Sequence, residues 1–344
     1  MAKKALITGV TGQDGAYLCK HLLGLGYEVY GAYRRTASSD FWRLAELGVE
    51  ADVKRVAFDL LEDTNILRSV EKVAPDEIYN LAAQSFVGFS FEQPLYTAQA
   101  DALGPARILE AIRHINPKIR FYQASTSEMF GKVQESPQNE HTPFYPRSPY
   151  GVAKLYAHWI TVNYRESYGI HATSGILFNH ESPLRGLEFV TRKITSTLAK
   201  IRFGLAETLE LGNVDALRDW GFAGDYVDGM HRMVQHDVAD DFVLATGEMH
   251  TVREFVNLAA AAADMPLEWS GSGVDETAVD TTSGKTIVRI NPEFYRPAEV
   301  ERLLGNAAKA WRTLDWLPKT KLPSLVGMMM EADLRRAASG SLQR

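Results

Sequence analysis

The sequence predicts an α/β chain: a doubly wound parallel sheet, joined to a smaller α/β lobe drawn mostly from the C-terminal half. Three observations carry this. Short apolar runs alternate with amphipathic stretches through the first half, as βαβ units require. The chain opens on a strand, a glycine-rich turn and a helix. After about residue 180 the alternation lapses into scattered strands and helices.

In chain order, strands are expected at KALITG (4–9), YEVYGAY (27–33), VKRVAFD (53–59), DEIYNLA (76–82), IRFYQAS (119–125) and HATSGILF (171–178). Helices are expected between them at 13–24, 63–73, 93–115 and 149–168, with right-handed crossovers. Further on, TLELGN and DDFVLATG read as strands. VTRKITSTLAKIRFG, TVREFVNLAAAAAD and the last thirty residues read as helices. The stretch SGSGVDETAVDTTSGKT (270–286) is rich in Gly, Ser, Thr and Asp and is expected to be a mobile surface loop. The expected domains are 1–179, binding a dinucleotide, and 180–344, mainly binding substrate. A strand near 241–246 is expected to return to the first domain, making the lobe discontinuous.

With 344 residues, 45% of them hydrophobic, the chain has ample material for a large core. Its net charge of −6 offers no general basic field for nucleic acid. The single cysteine, Cys19, permits no disulfide within the chain and fits a reducing cytoplasm. It lies among apolar neighbours in a predicted helix, which suits a packed thiol better than a nucleophile. The apolar run at the start is broken by Thr and Gly too early for a signal peptide, and no uncharged run is long enough to span a membrane.

The first strand runs into Gly9-x-x-Gly12-x-x-Gly15 and then a helix. Glycines there let the backbone approach a pyrophosphate, and the helix N-terminus supplies N–H groups and a partial positive charge. That context makes the sheet Rossmann-type. An NAD site places an acidic residue at the end of the second strand; here stand Arg34 and Arg35, suited to a 2′-phosphate, so NADP is expected. Asp59-Leu60 follows the third strand, placed to meet adenine, and LAAQS (81–85) ends the fourth.

STSEMFG (125–131) ends the fifth strand in hydroxyls and a carboxylate, where open α/β sheets bind ligands. Tyr150 and Lys154 lie four apart on the next helix and share a face. Of fourteen tyrosines, only Tyr150 has Lys at that spacing. A nearby ammonium and an oxidised nicotinamide favour the phenolate, making Tyr150 a base for a substrate hydroxyl. Alcohol oxidation needs Tyr, Lys and a hydroxyl such as Thr126. It does not need Glu128. A carboxylate there is suited to taking a proton beside a new ketone and handing it to a leaving hydroxyl, which is the chemistry of elimination.

These blocks, with YNLAAQSFVG, TPFYPRSPYGVAKLYAHWITVNYRESYG, GILFNHESPLRG and GNVDALRDWGFAGDYVDGM, resemble the extended short-chain dehydrogenase/reductases, and among them the GDP-mannose 4,6-dehydratase family. The likeness covers nearly the whole chain. It implies a catalytic set of Thr126, Glu128, Tyr150 and Lys154. It implies NADP held by Gly9, Thr11, Gly12, Gln13, Asp14, Gly15, Arg34, Arg35, Asp59, Leu60, Ala82, Ala83, Ser85, Tyr96, Lys154, His180 and Arg185. Around a GDP-mannose substrate it implies Asn179, Lys193, Arg218, Arg296 and Glu299, beside Ser85 and the catalytic residues. No second His lies at ligand spacing from His180, so no metal is expected. The implied activity is a lyase reaction: oxidation at C4, elimination across C5 and C6, and hydride return to C6. The alternative is a reductase of the 4-keto-6-deoxy product, or an enzyme with both activities. The resemblance also implies a homodimer or homotetramer, with TASSDFWRL (36–44) able to reach a neighbour. Two departures stand out: Leu217 where relatives are expected to carry Lys, and a 270–286 segment longer than expected.

Overall fold

The computed structural model describes residues 2–37, 40–294 and 302–341. The first half contains β1 (Lys4–Thr8), α1 (Gln13–Gly24), β2 (Glu28–Tyr33), α2 (Trp42–Glu46), β3 (Lys54–Ala57), α3 (Asp63–Val73) and β4 (Glu77–Asn80). It continues through α4 (Val87–Glu92), α5 (Pro94–Thr97), α6 (Gly104–Ile115), β5 (Arg120–Thr126), α7 (Pro149–Tyr168) and β6 (Ala172–Leu177). Beyond it come β7 (Asn179–Glu181), α8 (Val190–Arg202), β8 (Leu209–Leu211), β9 (Leu217–Arg218), β10 (Trp220–Phe222), α9 (Ala223–Gln235) and β11 (Asp241–Leu244). The chain closes with β12 (His250–Thr251), α10 (Val252–Ala262), β13 (Leu267–Ser270), β14 (Thr277–Asp280), β15 (Thr286–Ile290), β16 (Arg302–Leu303), α11 (Ala308–Leu314) and α12 (Leu322–Ala338).

Seven parallel strands form the main sheet in the order β11-β6-β5-β4-β1-β2-β3. From β1 the chain winds outward one way to β3, then returns to β4 and winds the other way. The switch point therefore lies between β1 and β4, where such sheets leave a crevice. Strand alternation builds a core on each face. Ala5 and Ile7 pack with Leu18, Leu22, Val227 and Met230 under α1 and α9. Leu6, Ile78 and Phe121 pack with Ile66, Val70, Ile108 and Ile112 under α3 and α6. The lobe has its own core of α8, α10 and α12 residues, including Leu198, Phe255, Leu325 and Met329.

Two segments differ from the sequence expectation. The helix expected over 93–115 is interrupted: α5 passes into a π-helical turn, Ala98–Leu103, before α6 resumes. Pro105 has no N–H to give to the Asp101 carbonyl, and its ring crowds that carbonyl, so the wider turn relieves both problems. The stretch 270–286 is not one loop. Residues 277–280 form β14, paired antiparallel with β13 and β15. Thr277 and Val279 are β-branched, and Ala278 is fully buried. Composition pointed to a loop because the flanking turns carry the Gly and Ser.

Candidate active site

A cavity of about 490 Å³ opens where the strands of the main sheet end, across the switch point. Its floor begins at the glycine-rich turn. Gly9 has a φ of +70°, and a Cβ there would lie 2.9 Å from the Ala82 nitrogen. A Cβ on Gly15 would lie 2.4 Å from the Gly9 carbonyl oxygen. Only glycine lets β1, the turn and the segment after β4 close up this far. Thr8 locks that closure: its Oγ1 accepts from the Leu81 and Ala82 N–H groups at 3.0 Å each and donates to Asn80 Oδ1 at 2.7 Å. Gly12 caps α1 without a side-chain hydrogen bond. The bare N–H groups of a helix start therefore face the cavity, a donor set that fits a diphosphate.

A buried polar clamp joins this turn to β7. Gln13 donates through Nε2 to the His180 carbonyl at 3.0 Å and accepts from Ser182 Oγ at 2.7 Å. His180 contacts Asp14 Oδ2 through Nε2 at 2.9 Å, reaches the Phe178 carbonyl through Nδ1 at 2.8 Å and stacks on Tyr226. Burial opposes charge on both partners. Their mutual attraction and hydrogen bond outweigh it, lowering Asp14 and raising His180. A histidine so engaged ties β7 to the start of α1 and to α9.

At the other end, Arg34, Asp59, Leu60 and Tyr96 line the cavity. Arg34 donates to the Tyr96 hydroxyl. Asp59 is held by its own turn, its Oδ1 accepting from the Leu61 N–H at 3.0 Å. Arg35 is exposed and is not among the lining residues. Arg43 is, although sequence reasoning passed over it. Its Nε donates to the Leu184 carbonyl at 2.7 Å and its Nη1 to the Thr11 carbonyl at 2.8 Å. Burial lowers it to about 10, still charged at neutral pH.

Thr126 ends β5 and caps the short turn that follows, its Oγ1 accepting from the Glu128 N–H at 3.2 Å. The Thr126 hydroxyl also acts on Tyr150, where it favours the phenolate. Ser148 and Pro149 start α7, with Ser148 Oγ accepting from the Gly151 N–H at 3.0 Å. The first turns of α7 then present Tyr150 and Lys154, both buried, to the same cavity. Lys154 Nζ donates to the Ala124 carbonyl at 2.8 Å and stands 5.9 Å from the Tyr150 ring centre. Burial, then the Asp101 and Glu128 carboxylates, push Tyr150 up, while the Thr126 hydroxyl pulls it down. Burial pulls Lys154 down against Asp101 and Asp14.

The cavity is also lined by Thr11, Ala83, Ser85, Asn179, Arg185 and Arg218. Arg185 pairs with Glu181 at 3.1 Å, and its guanidinium lies 3.5 Å from the Phe189 ring centre. Phe189, Glu188 and Trp220 join the lining without having been singled out from sequence. Lys193 does not line it; its ammonium sits 3.6 Å from the Phe294 ring centre. Arg296 and Glu299 lie outside the described residues. Among the described residues, no three His, Cys, Asp or Glu side chains gather as a metal would need, and no helix is long and apolar enough to cross a membrane.

Solved structures share this architecture. A UDP-glucose 4-epimerase from Thermotoga maritima, solved with UDP-glucose, aligns with a TM-score of 0.81 at 21% identity, covering 98% of this chain and 99% of its own. A dTDP-glucose 4,6-dehydratase from Streptomyces venezuelae, solved with NAD, aligns with a TM-score of 0.82 at 20% identity, covering 98% of each. At such identities the likeness establishes the fold. Sequence goes further. A protein named GDP-mannose 4,6-dehydratase from Yersinia enterocolitica is 52% identical over 357 aligned residues, covering 99% of this chain and 96% of its own. A human protein of the same name is 49% identical over 339, covering 96% and 91%. The profile of the family described as GDP-mannose 4,6 dehydratase matches residues 6–329, and the chain belongs to that family.

Proposed function

We propose that this chain converts GDP-α-D-mannose to GDP-4-keto-6-deoxy-D-mannose and water, using NADP. The observation that carries the reading is the company Glu128 keeps: it lines one cavity with Thr126, Tyr150, Lys154 and the glycine-rich turn. A reductase of the keto product needs the last four and has no use for the carboxylate, so that alternative is not favoured.

Bound beside the glycine-rich turn, NADP would supply a hydride acceptor for C4 of the hexose and, once reduced, a hydride donor for C6. Tyr150 takes the proton of the 4-hydroxyl, and the Thr126 hydroxyl beside it steadies the oxygen that becomes a ketone. Lys154 supplies the positive charge that a buried phenolate lacks. The ketone acidifies C5–H, which Glu128 removes; Glu128 then protonates the departing 6-oxygen as water. C5 regains one proton, equal to the one Tyr150 gained, so the cycle loses only water.

The division of labour between residues 1–179 and 180–344 belongs to the same proposal. The residues suited to NADP are the turn from Gly9 to Gly15, Arg34 with Tyr96, and Arg43, which adds a cation that the sequence reading omitted. Residues suited to the nucleotide diphosphate are Asn179 and Arg218, with Arg185 nearby. We assign the reaction to the cytoplasm, where a chain with one buried cysteine needs no oxidative pairing. We also assign a homo-oligomer. Val152, Tyr156 and Trp159 form an exposed stripe along α7, continued by Leu95 on α5, which is 82% exposed. An apolar stripe on the solvent-facing side of these helices suits a second copy of the chain.

The test is incubation with a panel of nucleotide sugars and mass analysis for loss of water. GDP-mannose should lose 4,6-water with no net change at the reduced nicotinamide band; sustained NADPH consumption contradicts the reading. Glu128→Gln should still exchange hydride at C4 but not eliminate. Normal turnover by that variant refutes the assignment of roles.

A further inference from the structure

Asp101 lies on the π-helical turn that Pro105 imposes, and that turn packs against α7. The residue is 1% exposed. Its Oδ1 accepts from the Gln84 N–H at 2.7 Å, and Gln84 lines the cavity. Its Oδ2 is buried and, among the described residues, has no hydrogen-bond partner. A carboxylate oxygen buried without a donor is costly to keep, so its charge must be balanced through space by a nearby cation. The buried cation whose charge acts on it is Lys154, on the helix that the π turn packs against; its Nζ donates to a neutral carbonyl, that of Ala124. Of the carboxylates that act on Lys154, Asp101 is the stronger and Asp14 the weaker. Asp14 is already engaged by His180.

We propose that Asp101 is a positioning residue of the active site: its carboxylate holds Lys154 as an ammonium and thereby sets the pH range over which Tyr150 exchanges its proton. The inference rests on the Tyr150–Lys154 roles given above. Asp101 touches neither substrate nor the reacting atoms; it acts through the field. Burial raises it to about 6, against the pull of Lys154 and the Gln84 N–H, so it is mostly ionised at neutral pH. The other groups acting on the pair are Asp14 with His180 from α1 and β7, Glu128 from the turn after β5, and Arg185 after β7. The signs are distinctive. A negative charge on Asp101 raises the proton affinity of both Lys154 and Tyr150. Neutralising it lowers both.

The test is Asp101→Asn, with Asp101→Ser as a second neutral variant and a thermal melt to check that each folds. In cofactor-free protein, the pH dependence of Lys154 acylation is followed by peptide mass analysis. Its midpoint should move to lower pH in either variant. In turnover, both the acid and the alkaline limbs should also move to lower pH. A midpoint at its original pH, or limbs that stay in place while the rate falls, overturns the proposal. The acylation result stands whichever sugar nucleotide the enzyme uses, so a failure of the substrate reading is told apart from a failure of this one. Should neither variant fold, infrared difference spectra of the unmutated, isotope-labelled chain decide. The buried carboxyl band should vanish as pH rises through about 6. A carboxyl band that persists across the pH range of turnover, leaving Asp101 neutral where Lys154 must be charged, overturns the proposal.

Discussion

Replacing Asp333 with Ala tests whether a buried ion network ties α12 to α8 within the lobe and, through Arg336, to α2. Asp333 on α12 and Arg192 on α8 are both fully buried, with Nε–Oδ2 at 2.8 Å. Asp333 also accepts from Thr195 Oγ1 at 2.7 Å and from Arg336 Nη1 at 3.0 Å. Arg336 reaches on to Glu46 of α2 at 3.2 Å. Arg192 in turn donates to the Pro183 and Arg185 carbonyls at 3.0 and 2.9 Å, fixing the backbone beneath Arg185. Removing the carboxylate leaves two buried guanidinium groups without their shared counter-charge. Breaking one side of such a pair costs about 3–5 kcal/mol. At roughly 2 °C per kcal/mol for a chain of this size, Tm should fall by about 6–10 °C. The assay is a thermal melt followed by circular dichroism, at low and high salt. Salt should change the loss little, because the pair is out of reach of solvent. The double variant Arg192→Met/Asp333→Leu should recover part of the loss, since it removes a buried charge along with its partner. A single Ala variant melting within about 1 °C of the parent, below the effect of even a typical 1 kcal/mol substitution, would refute the argument.

Three further outcomes are expected. Arg34→Ala should weaken NADP by roughly tenfold, the low end for a charge-assisted hydrogen bond at an exposed site, and leave NAD unchanged; equal losses in calorimetry would count against a 2′-phosphate contact. For the Asp14–His180 pair, the raised His180 contributes stability fully below its unfolded value of 6.5 and loses it as pH rises through the folded value. The lowered Asp14 contributes above 3.8 and loses it as pH falls through its folded value. The Tm gap between the parent and His180→Gln should therefore be widest between about pH 4 and 6.5 and shrink on either side; a gap that widens above pH 7 contradicts the pairing. Trp159→Glu, on the exposed α7 stripe, should lower the oligomeric state seen by light scattering without loss of secondary structure, and an unchanged assembly would place the interface elsewhere.

What the sequence determined is whatever depends on neighbours in the chain. The strand, glycine turn and helix of residues 4–24 follow from local backbone freedom and apolar spacing. Tyr150 and Lys154 share a face because four residues make about one helical turn. Thr126 and Glu128 come to the sheet's end because β5 stops there. Tertiary structure decided what depends on which surfaces meet. Arg43 enters the cavity because α2 packs beside the turn, whereas its sequence context, TASSDFWRL, read as a segment able to reach a neighbour. Arg34 lines the cavity beside Tyr96 while Arg35 stays outside, because Tyr96 arrives from a helix about sixty residues along. Lys193 settles over Phe294, a residue about a hundred positions away that no spacing rule connects to it. Asp101 becomes notable only once the π turn buries it against α7. Its charge acquires a meaning from Lys154, fifty-odd residues along, because electrostatic energy depends on distance and desolvation, and neither is written in a linear chain.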